Sequence, residues 1–135
     1  MADRYTEAFD SVMAAYRLPK TTDAEKEGRR RAIADSTVTA TEVPLATAKA
    51  SADVARLLLS VAEHGNINAL SDCSLAVECA RTAVRGALMN VAINLPGIKN
   101  PDRADAFARQ SEELKRQSEE LYKKGTAILL DRQAT

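Results

Sequence analysis

Gly65-Asn66-Ile67-Asn68-Ala69-Leu70-Ser71-Asp72 lies between two long runs of helical apolar patterning, and its reading decides the fold. Glycine and asparagine end helices and tolerate positive φ, while serine and aspartate cap the helix that follows. The stretch is therefore the junction between two long antiparallel helices. It also crowds two carboxamides (Asn66, Asn68), a hydroxyl (Ser71) and a carboxylate (Asp72) into one short span. Asn90 and Asn94 add two more carboxamides inside an otherwise apolar run. A plain surface linker has no use for so many hydrogen-bonding groups, so function is sought here first.

Working outward toward the N-terminus, the preceding helix spans about residues 23–64. Thr22 and Glu25 have capping-box spacing at its start. Pro44 should bend or interrupt it, because proline lacks an N–H and leaves the carbonyl of Ala40 without its usual donor. The threonines around it, 37, 39, 41 and 47, lower helix propensity further. Beyond Pro44, Ala50, Val54, Leu57, Leu58 and Val61 form an apolar stripe. The basic triplet Arg29-Arg30-Arg31 reads as a solvated face balanced by Glu25 and Glu27. A shorter helix, residues 4–17, comes first, with Phe9, Val12, Met13 and Tyr16 as its expected buried face. Leu18-Pro19 ends it.

Toward the C-terminus, a third helix is expected over residues 71–95. One side carries mostly small residues, from Leu75 through Gly86 to Asn90 and Asn94, which allows close helix approach. Pro96-Gly97 stops it, and Asn100-Pro101 starts a fourth helix over about residues 102–130. There Phe107, Leu114, Leu121 and Ile128 recur every seven residues, a single narrow seam of a left-handed bundle. The fold class is all-α: one domain over residues 1–135, a bundle of long antiparallel helices, kinked near Pro44. The helices carry more apolar surface than four of them can bury, so a homo-oligomer, most simply a dimer, is expected.

Composition narrows the function. At 135 residues the chain fits one domain, able to bury roughly two thirds of its unfolded surface. Nineteen basic and nineteen acidic residues cancel, so no net field points to nucleic acid or to an anionic membrane. Cys73 and Cys79, six apart on one helix, sit on different faces and suit reduced thiols, not a disulfide. With the single histidine, His64, they give no metal-ligand cluster, and no metal is expected. Neither a leader nor a membrane-length apolar run is seen, and a cytoplasmic protein is the expectation.

Four segments together resemble the cyclodeaminase/cyclohydrolase family. They are Phe9-Asp10-Ser11-Val12-Met13-Ala14-Ala15-Tyr16-Arg17-Leu18-Pro19-Lys20, Glu42-Val43-Pro44-Leu45, the Gly65–Asp72 stretch, and Gly86-Ala87-Leu88-Met89-Asn90-Val91-Ala92-Ile93-Asn94-Leu95. They occur in order and span nearly the whole chain. The resemblance implies an all-helical dimer acting on a one-carbon unit carried by tetrahydrofolate, either as a cyclohydrolase or as a cyclodeaminase, with a tetrahydrofolate derivative as substrate. Two departures stand out. The family's proline- and glycine-rich N-terminal loop has no counterpart here. Where the family carries an aspartate four residues before the phenylalanine matched by Phe9, this chain has Tyr5, with Asp3 two positions away. The alternative is therefore a non-catalytic helical oligomer, a truncated or degenerate member without folate turnover.

Under this resemblance Asp72 is the candidate acid or base, since both reactions move a proton beside a polarised carbon–nitrogen centre. The competing reading makes it a first-turn residue that complements the helix dipole. Lys20, Asn66, Asn68, Ser71, Asn90 and Asn94 are the candidate substrate-binding residues. Asn66 and Asn68 equally suit a role holding a turn. Asn90 and Asn94 also suit amide bonding across a helix interface and Lys20 a solvated loop, while for His64 a helix C-terminal cap outranks catalysis.

Overall fold

The computed structural model describes residues 2–134 as four α-helices: α1 (Ala2–Arg17), α2 (Asp23–His64), α3 (Leu70–Asn94) and α4 (Pro101–Gln133). Short 3-10 turns, Ile67–Ala69 and Leu95–Gly97, stand at either end of α3. Among the described residues there is no strand, and no helix is long and apolar enough to cross a membrane. The all-α reading and its helix boundaries hold within a few residues at each end.

Local chemistry sets those boundaries. Thr22 accepts from the Glu25 backbone N–H at 3.2 Å, and the Glu25 carboxylate accepts from the Thr22 N–H at 2.9 Å, closing the expected capping box. These backbone donors hold the Glu25 carboxyl below its ordinary range. Asn100 caps α4 through the Arg103 N–H at 3.1 Å, with Pro101 in the first turn. Gly97 is fixed by proximity, because a Cβ there would lie 2.8 Å from Thr37 on α2.

α2 is not interrupted at Pro44, which is buried within one continuous helix. Hydroxyls around it turn onto their own helix: Thr37 to Ile33, Thr41 to Thr37 and Thr47 to Val43, at 2.7, 2.7 and 3.2 Å. These bonds satisfy the hydroxyl donors within the backbone, including that of fully buried Thr41.

The packed interior is built largely from alanine and valine. Ala48 and Ala52 of α2 meet Val84, Ala87 and Val91 of α3, with Phe107 and Leu114 of α4 closing one cluster. A second cluster, Ala62, Leu70, Cys73, Val77 and Leu129, lies near the α2–α3 junction. On α4 the seven-residue seam is buried at Phe107 and Leu114 and half-buried at Leu121 and Ile128, with Ser118 and Gly125 filling the narrow places.

Two expected core faces turn largely outward, with Val12 on α1 and Ala50 and Leu58 on α2 half-buried and Leu58 packed against the second cluster. On α1, Ala8 and Ala15 are buried while Phe9 is 63% exposed, and Met13 and Tyr16 are also exposed. On α2, Val54, Leu57 and Val61 are exposed, and Ala48, Ala52 and Ala62 take the inward positions. The cause is the same in both helices. Helices packed closely through alanine leave most of the larger residues of each stripe exposed.

The basic triplet is also only partly a solvated face. Arg30 and Arg31 both pair with Glu27. Arg29 reaches back to α1, where Nε and Nη2 each donate to the Tyr16 carbonyl at 3.2 Å.

Candidate functional site

Asn66 accepts from the Asn68 backbone N–H at 3.0 Å and so caps the short turn itself. Gly65 ends α2 in extended backbone (φ −67°, ψ 169°), and no described glycine has positive φ. Gly65 ends the helix as expected, without using its tolerance of positive φ. Glycine is required for space: a Cβ at residue 65 would lie 2.4 Å from the Val61 carbonyl oxygen. Ser71 and Asp72 do not cap α3 from outside. The cap position is Ala69, with no side-chain bond, and both residues stand exposed in the first turn.

Arg132, near the end of α4, holds this junction closed. Its guanidinium donates to the carbonyls of Ala62 at 2.6 Å and Gly65 at 2.7 Å, groups that the end of a helix leaves unpaired. Sequence reading missed it, since nothing local to Arg132 announces a bond to carbonyls more than sixty residues away. His64 is exposed, with Nδ1 3.2 Å from the Ser60 carbonyl, in keeping with a helix-end role.

At the far end of α3, Asn94 is half-buried and its Nδ2 donates to the Ala40 carbonyl at 3.0 Å. This is the carbonyl that Pro44 deprives of its helical donor. The carboxamide thus supplies across the interface the bond that the proline removes. Asn90, one turn earlier, is exposed. Lys20 is exposed in the α1–α2 connection, and Tyr5 is half-buried on α1 with Asp3 exposed.

Within the chain these residues do not form a single cavity. Asp72 and Asn94 are about 33 Å apart along α3. Yet Asp72 and Asn90 share one face. Helical geometry sets Ser71, Asp72, Leu75, Cys79, Gly86, Met89, Asn90 and Ile93 on one stripe along α3, and every one of them is exposed. Leu75, Met89 and Ile93 are 65, 67 and 74% exposed. This is an exposed apolar stripe that also carries a carboxylate, Asp72, and a carboxamide, Asn90.

The edge of α3 toward α4 carries a charged pin that sequence reading also missed. Arg81 donates to both Glu119 oxygens at 2.9 and 3.0 Å, and its guanidinium lies 4.2 Å from the Tyr122 ring centroid. Tyr122 in turn donates to Glu78 at 2.6 Å. Hydrogen bonding from Arg81 keeps the Glu119 carboxyl low, and the Glu78 bond pushes the Tyr122 hydroxyl up. Among the described residues no group of three or more histidine, cysteine, aspartate or glutamate side chains is placed to hold a metal.

The fold and this face define a class: an all-helical array of long helices, with small residues inside and large apolar residues outside. Residues 1–113 match the family model described as formiminotransferase-cyclodeaminase. The chain is 46% identical over 106 residues to a methenyltetrahydrofolate cyclohydrolase of Methylorubrum extorquens, covering 78% of this chain and 50% of that one. It is 34% identical over 130 residues to a formimidoyltransferase-cyclodeaminase of Gallus gallus, covering 96% of this chain and 23% of that one. The crystal structure of formiminotetrahydrofolate cyclodeaminase from Thermotoga maritima superposes with a TM-score of 0.82 at 27% identity, covering 96% of this chain and 61% of that one. The chain belongs to the formiminotransferase-cyclodeaminase family. It spans half or less of the length of these curated relatives.

Proposed function

We propose that this chain takes part in one-carbon chemistry on tetrahydrofolate, hydrolysing the methenyl form or closing the formimino form with release of ammonia. The observation that carries this reading is the identity to a methenyltetrahydrofolate cyclohydrolase over most of the chain. In the hydrolytic direction, water adds to the methenyl carbon and loses a proton. The bond from that carbon to one folate nitrogen then breaks as the nitrogen takes up that proton and the new hydroxyl releases its own to become the formyl oxygen, so the cation and water give a neutral formyl product and one proton. Asp72 is the group we assign to accept the first proton and return it. Asn66, Asn68, Ser71, Asn90 and Lys20 are assigned to binding, while Asn94 acts by completing the helix at Pro44.

The catalytic unit in this reading is a homodimer of single helical domains, residues 1–135, working in the cytoplasm. Pairing the exposed α3 stripe with its copy about a two-fold axis perpendicular to α3 runs the two helices antiparallel. Asp72 of one subunit then faces Asn90 of the partner subunit. The separation of the two groups within one chain, on a shared outward face, supports this arrangement.

Loss of methenyltetrahydrofolate absorbance in the presence of the purified protein tests the reading. Turnover above the spontaneous rate is expected, falling about 10²-fold or more in Asp72→Asn. Mixing Asp72→Asn subunits with Asn90→Ala subunits should restore part of the activity, since one site of each mixed dimer is intact. No turnover and no folate binding in the unaltered protein would favour the non-catalytic oligomer, which Tyr5 in place of the family's aspartate already supports.

A further inference from the structure

A cleft of about 530 Å³ runs between α3 and α4, and none of the seven candidate residues lines it. Its volume falls in the range of small-molecule sites, roughly 300–1,000 Å³. The lining changes character along its length. Ala92, Leu95 and Ala108 make one end apolar, Leu88 continues that surface, and Arg85 and Lys115 stand toward the other end, beside the Arg81–Glu119 pin.

The charges at that end do not cancel. Arg81 is committed to Glu119 at 2.9 Å and Lys115 lies 3.6 Å from Glu112. Of the lining charges this leaves Arg85, whose side chain makes no hydrogen bond among the described residues and whose field helps keep the Glu119 carboxyl low. A planar guanidinium with free donors, next to an apolar wall, is matched by an anion of fork geometry on an apolar body.

We propose that the α3–α4 cleft binds a small molecule with an apolar body and a single carboxylate, the carboxylate on Arg85 and the body along Leu88 toward Ala108. None of the catalytic or binding residues of the folate reading lines this site, although Met89 belongs both to the cleft and to the exposed α3 stripe.

Calorimetric titration of the full chain with octanoate, and separately with 1-octanol, tests the proposal. Octanoate should bind saturably, one per chain, and about tenfold more tightly than octanol, as expected of a charged hydrogen-bonded head group. Arg85→Gln should reduce octanoate affinity to the level of octanol and leave octanol unchanged. Ala108→Trp, with helical circular dichroism retained, should remove both. Should that variant lose its fold, the Arg85→Gln comparison alone decides. Absence of octanoate binding, equal affinity for acid and alcohol, or indifference to Arg85→Gln would overturn the proposal. So would sedimentation showing that octanoate and subunit association compete, which would make the cleft a contact between copies. A chain that binds octanoate but turns over no folate leaves this proposal standing and removes only the folate reading.

Discussion

The two faces of α3 use the same helix for opposite purposes. Inward, Cys73, Val77, Ala80, Val84, Ala87 and Val91 are buried against α2 and α4, and Asn94 completes the hydrogen bonding of a proline-containing neighbour. Outward, Leu75, Met89 and Ile93 are largely exposed, and Asp72 and Asn90 stand on the same stripe. The smaller residues are spent on the interior and several of the larger ones on the exterior. Close packing through alanine and valine gives rigidity at small interaxial distance. The larger outward side chains carry apolar area that becomes useful only when another surface covers it.

The sharpest way to break this contrast is to put the same charge on each face. Val84 is fully buried, so Val84→Asp places a carboxylate in the α2–α3–α4 interior at a cost of about 4 kcal/mol or more, enough to unfold a domain of ordinary stability. Ile93→Asp, on the exposed stripe, should change the stability of the isolated subunit by less than about 0.5 kcal/mol. It should nevertheless abolish self-association. Urea denaturation and sedimentation velocity separate the two outcomes. An Ile93→Asp protein that still forms dimers would end the assignment of this stripe as the subunit contact.

Asn94 allows a finer test of the inward face. Asn94→Ala leaves the Ala40 carbonyl without a donor and should lower stability by about 1–3 kcal/mol. In a Pro44→Ala background residue 44 regains its N–H and serves that carbonyl itself. The same Asn94→Ala change should then cost about 1 kcal/mol less, a coupling that a double-mutant cycle reads directly. Equal losses in both backgrounds would mean that the carboxamide and the proline are unrelated.

The sequence disclosed the helices and the carbonyl that Pro44 leaves without its helical donor, because both are local. Capping residues, helix breakers and a missing N–H act within a turn or two of where they stand. It disclosed less well which apolar stripe faces inward, since Phe9 and Leu57 look like core residues until Ala8, Ala48 and Ala52 are seen to occupy the contact. Periodicity identifies a face but does not say whether its partner is in the same chain. Asn66 and Asn94 were each legible as either a ligand or a structural group, and both are bonded to backbone. The Arg81–Glu119 and Arg132 contacts depend on the register between helices, which no short stretch encodes.

The Arg81–Glu119 pin offers a smaller effect, read through pH. Arg81 holds the Glu119 carboxyl below its ordinary value of 4.5, so the folded state favours the charged form. The pair's contribution is therefore complete above that value and disappears as the pH falls through the lower folded-state value. Stability should decline on that acid limb, and Glu119→Gln should flatten the decline while leaving the slope at neutral pH unchanged. Because both side chains are about a third exposed, solvent screening keeps the effect modest. Urea midpoints measured across the acid range check the sign. A steeper acid limb in Glu119→Gln would contradict the assignment.

The smallest expected effect lies a few residues away and separates packing from polarity on the inward side. Ser118 is 2% exposed, and its hydroxyl has no hydrogen-bond partner among the described residues. It fills a narrow place of α4 beside Ala55, Val77 and Tyr122, where size matters and a hydroxyl contributes little. Ser118→Ala keeps nearly the same volume and removes a buried donor. Stability should stay the same or rise by a few tenths to about 1 kcal/mol. Ser118→Val adds volume at the same contact and should destabilise by about 1–3 kcal/mol through overpacking. A loss of more than about 1 kcal/mol in Ser118→Ala, measured by urea denaturation, would mean that the hydroxyl makes a bond in solution. In that case the narrow place beside Tyr122 would be held by polar pairing as well as by shape, and the interior would be less purely a matter of small apolar residues than the rest of α3 and α4 indicates.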